Sequence, residues 1–226
     1  MKIKFIILIT AAASMLLSAC EYDNFTPPES TLSGKVVYQG KAVSVRNNGP
    51  QLELWQDWFA LRDRIIVNFN QDGSFSAKVF NGKYKLVRGR AEAPLLQQAT
   101  DTITVNVNGN TNIDIPVTPY FNITNETYTK SGNTISAKFV IDKVVPTANV
   151  ELVRLYLGKS ILTDQVQREV RAEGNVAGLV FGGQNTIATD LPDNLKNLDY
   201  VFARLGIKST VSGEYNYTQV QKISLK

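Results

Sequence analysis

The sequence predicts an all-β chain organised as two tandem β-sandwich domains. Three observations lead there. Short apolar runs alternate with polar residues at a period of two; turns rich in glycine, asparagine and aspartate separate them; and the pattern halts at a proline-containing stretch near position 118, then restarts. No segment of the first half carries a strong helical period.

The chain opens with a leader, positions 1–19. Lys2 and Lys4 form a positive start, Phe5 to Leu17 is almost wholly apolar, and small residues precede Cys20. Such a run is short for a bilayer span and reads as a secretory signal. Removing it takes two basic residues away, so 22 basic side chains face 20 acidic ones and the net charge falls from +4 to +2. That balance gives no reason to expect nucleic acid as a partner. Positions 20–30 form a tether in which Pro27-Pro28 favours an extended chain.

The first domain spans positions 31–118. Leu32 to Tyr38 is its first strand, ended by Gln39-Gly40-Lys41. Leu52 and Trp55 lie in a second apolar run, Ile65-Ile66-Val67 in a third. After the turn Gln71-Asp72-Gly73, Phe75, Ala77 and Val79 alternate with Ser74, Ser76 and Lys78. Asn81-Gly82 turns the chain again, and Tyr84 and Leu86 point inward between Lys83 and Lys85. Ile103, Val105 and Val107 lead to Asn108-Gly109, a hairpin signal, followed by Ile113, Ile115 and Val117.

The second domain spans positions 119–226. Ile135, Ala137, Phe139 and Ile141 form a half-buried strand. In Val150 to Leu157, Val153, Leu155 and Leu157 share one face, Leu152 and Tyr156 the other. Gly158 to Gly183 reads as a loop between strands, Leu191 to Leu198 as a turn or a single helical turn. Tyr200 to Lys208 and Tyr217 to Leu225 close the chain as two strands, with one of Tyr215 and Tyr217 expected to stay wet. About a hundred residues of such strands without a cysteine pair fit an immunoglobulin-like or fibronectin-like sandwich.

Catalysis finds little support in the residue content. The chain has no histidine, which removes the commonest general base and the serine triads. Its one cysteine is Cys20, leaving no thiol for a disulfide or a metal in the body of the chain. Two carboxylates would suffice for a glycosidase, but no spacing singles out a pair such as Asp101 and Asp114. The expectation is a non-enzymatic protein with no cofactor and no metal.

Binding residues are easier to nominate. Trp55-Gln56-Asp57-Trp58 holds both tryptophans, and Arg62 follows closely. Rigid aromatic faces stack on sugar rings while amides and charges meet the hydroxyls, so Trp58, Trp55, Asp57 and Arg62 are candidate glycan-binding residues. Three residues apart on a strand, the two tryptophans point to opposite faces. The alternative is that Trp55 is core and Trp58 packs beneath a loop. Lys83, Lys85, Arg88 and Arg90 form a basic run that either meets an anionic glycan or is a solvated face.

Leu17-Ser18-Ala19-Cys20 resembles the lipobox of bacterial lipoproteins, which implies acylation of Cys20 and anchoring in a lipid bilayer. Glu21 and Asp23 resemble the signal that sends Bacteroidetes lipoproteins to the outer face of the outer membrane. Asp101-Thr102-Ile103 resembles the O-glycosylation sequence of the same group, with Thr102 as acceptor. Leu32-Ser33-Gly34-Lys35-Val36 with Asp72-Gly73-Ser74-Phe75 and Asn81-Gly82-Lys83-Tyr84 resembles the transthyretin-like sandwich of carboxypeptidase regulatory domains, where the tyrosine is a core residue. The whole resembles a family of two-domain Bacteroidetes lipoproteins of unknown function. Its members accompany SusC- and SusD-type glycan importers, which implies a role in polysaccharide binding or uptake, or alternatively a structural or adaptor role in an importer complex.

Overall fold

A computed structural model describes residues 26–57, 63–88, 93–97 and 102–226. Among them the chain is all-β, in two sandwiches. In the first, β1 (Ser30–Tyr38) is the central strand of one sheet. It pairs antiparallel with β5 (Ser74–Val79) and, at its end, with β2 (Lys41–Ala42). Along its other edge it pairs in parallel with β8 (Thr111–Asn112) and β9 (Ile115–Pro116). The facing sheet runs β4 (Ile65–Asn68), β3 (Gln51–Gln56), β6 (Gly82–Arg88), β7 (Thr102–Val107). Period-two alternation sends Leu32 and Val36, Leu52 and Leu54, Phe75 and Val79, and Tyr84 and Leu86 into one shared core.

In the second sandwich, β10 (Phe121–Ser131), β11 (Thr134–Lys143) and β14 (Gln184–Asp190) form one sheet. The other runs β13 (Val170–Glu173), β12 (Val150–Gly158), β15 (Tyr200–Ser209), with β16 (Tyr215–Tyr217) and β17 (Gln221–Ser224) both pairing with β15. Phe139 and Ile141 meet Val153, Leu155, Leu157, Val201 and Leu205 between the sheets. One helical turn, α1 (Asp193–Lys196), buries Leu195 beneath it.

Three expectations change. Asn108-Gly109 does not close a hairpin: it carries the chain across to the other sheet, where β8 and β9 run parallel to β1. The Asn81 side chain accepts from the Gly109 amide at 2.7 Å and from Ser30 Oγ at 2.6 Å, tying three segments at that crossing. The stretch 158–183 is not only loop, since β13 pairs with β12 as an edge strand. An edge strand with one wet face needs little apolar sequence, so Val-Arg-Ala-Glu carries only a weak strand signal. The last strand breaks in two after Tyr217, and Tyr84, Val153 and Tyr156 take the faces expected of them.

Gly34 shows how tightly the first sheet is drawn together. A Cβ there would lie 1.8 Å from the Ile113 carbonyl oxygen, a backbone atom with no room to yield. Gly34→Ala is expected to cost about 3 kcal/mol through this overpacking. A lowered midpoint in urea denaturation checks it.

Candidate functional site

The two domains meet around one residue that sequence reading passed over. On β15, Val201, Ala203, Leu205 and Ile207 point into the core, which turns Arg204 to the opposite face. There it is fully buried. Its Nε donates to the Thr218 carbonyl at 3.0 Å, and Nη2 donates to the Val45 carbonyl at 2.7 Å and to Ser44 Oγ. The guanidinium lies 4.1 Å from the Tyr217 ring centre. Tyr156, Tyr215 and Tyr217 form a small aromatic cluster beside it. Gly206 leaves the space for those rings, since a Cβ would stand 2.9 Å from Tyr217.

Burial without a contacting carboxylate pushes the Arg204 pKa down to about 10, so it stays charged at neutral pH. At the rim, Arg46 of the first domain pairs with Glu214 of the second. Nη2 to Oε1 is 2.6 Å, Nε reaches both carboxylate oxygens, and Gln165 adds a bond to Oε2. The pair holds the Arg46 pKa above its ordinary value. Asn216 donates to the Pro94 carbonyl and accepts from the Phe121 amide. Both Tyr215 and Tyr217 are buried, because the first domain and the 159–169 segment cover the face on which one of them was expected to be wet.

Beside this joint lies a cleft of about 530 Å³ with walls from both domains. The β1–β2 turn supplies Tyr38 and Gln39; Gln39 and Gly40 both take positive φ, the pattern of a tight primed hairpin turn. The opposite wall is β10 and β11. Asn122 and Asp142 are register partners there, and a β-bulge between Thr124 and Thr127 leaves Asn125 at φ 53°. Asparagine is among the side chains that tolerate this left-handed backbone best, and bulges re-aim side chains toward sites. Gln219 and Thr218 close the floor. Among the described residues, Asn122, Asn125 and Asp142 use their side-chain polar atoms in no hydrogen bond or ion pair. The cleft therefore offers amides and a carboxylate to a hydroxyl-rich ligand, with Tyr38 as an aromatic wall.

Of the glycan-binding residues nominated from sequence, Trp55 and Asp57 are described, and they lie away from the cleft. Trp55 is not core: it is half-buried on the outer face of β3, opposite Lys85, while Leu52 and Leu54 point inward. Its Nε1 donates to Glu53, which also pairs with Arg64 at 2.7 Å, and exposed Asp57 pairs with Lys85 at 2.8 Å. On that solvated outer face Lys85 is paired and Lys83 is exposed. Thr102 is exposed at the start of β7, and Asp114 is exposed. Cys20, Glu21, Asp23, Trp58, Arg62, Arg90 and Asp101 lie outside the described residues. Among the described residues no group of acidic or thiol side chains could hold a metal, and no helix is long and apolar enough to cross a membrane.

Residues 30–118 match the family described as "Protein of unknown function (DUF3823) N-terminal domain", and residues 121–222 match "Domain of unknown function (DUF3823_C)". The chain belongs to the DUF3823 family. It is similar to a DUF3823 protein of Bacteroides ovatus, at 46% identity and a TM-score of 0.82 over 87% of this chain and 100% of that one. A DUF3823 protein of Parabacteroides merdae follows at 33% identity and 0.80, over 88% and 100%. A Bacteroides uniformis protein described as a "putative carbohydrate binding protein" shares the fold at 18% identity and 0.70, over 88% and 100%. No curated protein matches the chain. None of these DUF3823 descriptions names an enzyme.

Two outcomes follow from the joint. Arg204→Ala leaves the Val45 and Thr218 carbonyls buried and unmet, at about 1–3 kcal/mol each, and calorimetry is expected to show a lowered midpoint, with the two domains unfolding less cooperatively than in the wild type. Arg204→Met fills the space without the charge and is expected to cost less. Separately, burial holds the Tyr128, Tyr156 and Tyr217 phenols neutral far above their ordinary pKa of 10. Their stabilising contribution is whole below pH 10 and is lost as pH climbs toward the raised folded values, because the unfolded chain releases those protons first. Arg204, with its pKa depressed, works the opposite way but as one group against three. Tyrosinate absorbance is expected to rise for the exposed tyrosines first and for these three only together with unfolding.

Proposed function

We propose that this chain is a lipid-anchored, non-catalytic protein of the outer-membrane surface that captures polysaccharide in the cleft between its domains, as accessory to a SusC/SusD-type importer. The composition of the cleft carries this reading. Polar residues with unengaged side chains (Asn122, Asn125, Asp142) face Tyr38 and Gln39 across a space of about 530 Å³, on walls held in place by a buried joint. Amides and carboxylates satisfy sugar hydroxyls, and an aromatic ring covers the apolar face of a pyranose. The Leu-Ser-Ala-Cys ending and its acidic neighbours supply the anchor and the address. A protein of the same fold carries a carbohydrate-binding description.

The cleft formed by both domains is favoured over Trp55 and Asp57 as the location. Trp55 already spends its indole hydrogen bond on Glu53 and lies on an open sheet face. Affinity electrophoresis and calorimetry against a panel of polysaccharides test the reading. Asn122→Ala combined with Asp142→Ala is expected to weaken binding about tenfold or more, equal to about 1.4 kcal/mol, at unchanged thermal midpoint, whereas Trp55→Ala leaves affinity as it was. Wild-type protein that binds nothing in the panel while being recovered with importer subunits would instead establish the adaptor role.

A further inference from the structure

The first domain has two unlike ends. At one, β1 finishes at Tyr38, and the turn at 71–73 and Ser44 and Val45 meet the second domain. At the other, β1 begins, β3 and β5 end, and β4 and β6 start. A second groove of about 290 Å³ opens there, lined by Pro28, Ile65, Lys78, Phe80 and Tyr84 among others. Phe80 and Ile65 are 43% and 40% exposed, well above what a strand end needs to close its core. Tyr84 donates to the Phe80 carbonyl at 3.0 Å, which fixes that corner, and Lys78 Nζ donates to the Glu29 carbonyl, binding the arriving tether to it.

We propose that this end of the first domain rests on the lipid surface, with Phe80 and Ile65 entering its interfacial layer. The inference rests on the acylated Cys20 of the reading above. The tether decides the occupant. Cys20 to Glu29 is ten residues, at about 3 Å each when extended, and it arrives at the groove itself, because Pro28 is part of the lining. An acyl anchor this close keeps the groove at a high effective concentration of lipid, so a contact far too weak to recruit a free protein is occupied once tethered. The contact is apolar in character: Lys78 and Lys83 are offset by Glu29 and Asp63, all exposed. Docked this way, β1 stands up from the membrane, and its nine residues, at about 3.3 Å apiece, lift the interdomain cleft roughly 30 Å toward the medium.

Because Cys20 is the sole cysteine and is taken by lipid, Phe80→Cys or Ile65→Cys introduces a single thiol for a nitroxide label. Acylated full-length mature protein is placed in vesicles of equimolar phosphatidylethanolamine and phosphatidylglycerol, with Val211→Cys, on an exposed turn of the second domain, as reference. The expected result is several-fold protection of labels at 65 and 80 from a water-soluble nickel chelate, with raised access to oxygen, and no protection at 211. Equal nickel access at 80 and 211, in protein that carries fatty acid and sediments with the vesicles, overturns the docking and leaves the anchor intact. Protection at 80 that is the same with and without vesicles also overturns it, since the chain or a second copy then covers the groove. Protein that takes up no labelled fatty acid overturns anchor and docking together.

Discussion

A guanidinium without a contacting carboxylate holds the two sandwiches together. Arg204 leaves β15 of the second domain, crosses the ring of Tyr217 and donates to the first domain at Ser44 and Val45. Burying a charge this way is costly, and its pKa falls to about 10 in consequence. Carbonyl dipoles, a hydroxyl and an aromatic face offset that cost together, each with a direction. The Thr218 carbonyl and the Tyr217 ring fix the guanidinium within the second domain, and Ser44 and Val45 meet it from the first, so the buried charge sets how the domains are oriented.

Much of the fold was legible because sandwich cores need alternation and the sequence alternates. Leu32 and Val36, Phe75 and Val79, Ile135 to Ile141, and the two faces of β12 all follow from period two. What alternation cannot report is which strand lies beside which. Asn108-Gly109 carries the same local turn chemistry whether the next strand folds back or crosses over, and the choice is made by long-range contacts such as Asn81 with Gly109. Edge strands such as β13 are hard to read for a related reason, since one wet face dilutes the pattern.

The site was less legible than the fold. Trp55 stands out as a large aromatic near amides, and parity with Leu52 and Leu54 places it on the outer face of β3. The one available signal for the joint was Arg204, a lone charge within Val201-Phe202-Ala203-Arg204-Leu205-Gly206-Ile207. A charge amid apolar neighbours on a strand either faces water or is buried with partners, and here Ser44 and Val45 of the opposing domain are among those partners. The cleft residues give no local signal at all, because the Tyr38-Gln39 turn of one domain faces Asn122 and Asp142 of the other only when the domains dock.

On the capture reading proposed above, that dependence ties recognition to the joint. Neither domain alone contains the cleft, so its width varies with the angle between them, and a ligand spanning both walls binds only where that angle is right. A flexible linkage would spend part of each binding event on ordering the domains. With Arg204, Arg46–Glu214 and Asn216 closing the interface beforehand, the ordering is complete before a ligand arrives. Any substitution that loosens the joint should therefore weaken capture at the cleft without touching a lining residue, and the loss should track interdomain stability rather than the stability of either core.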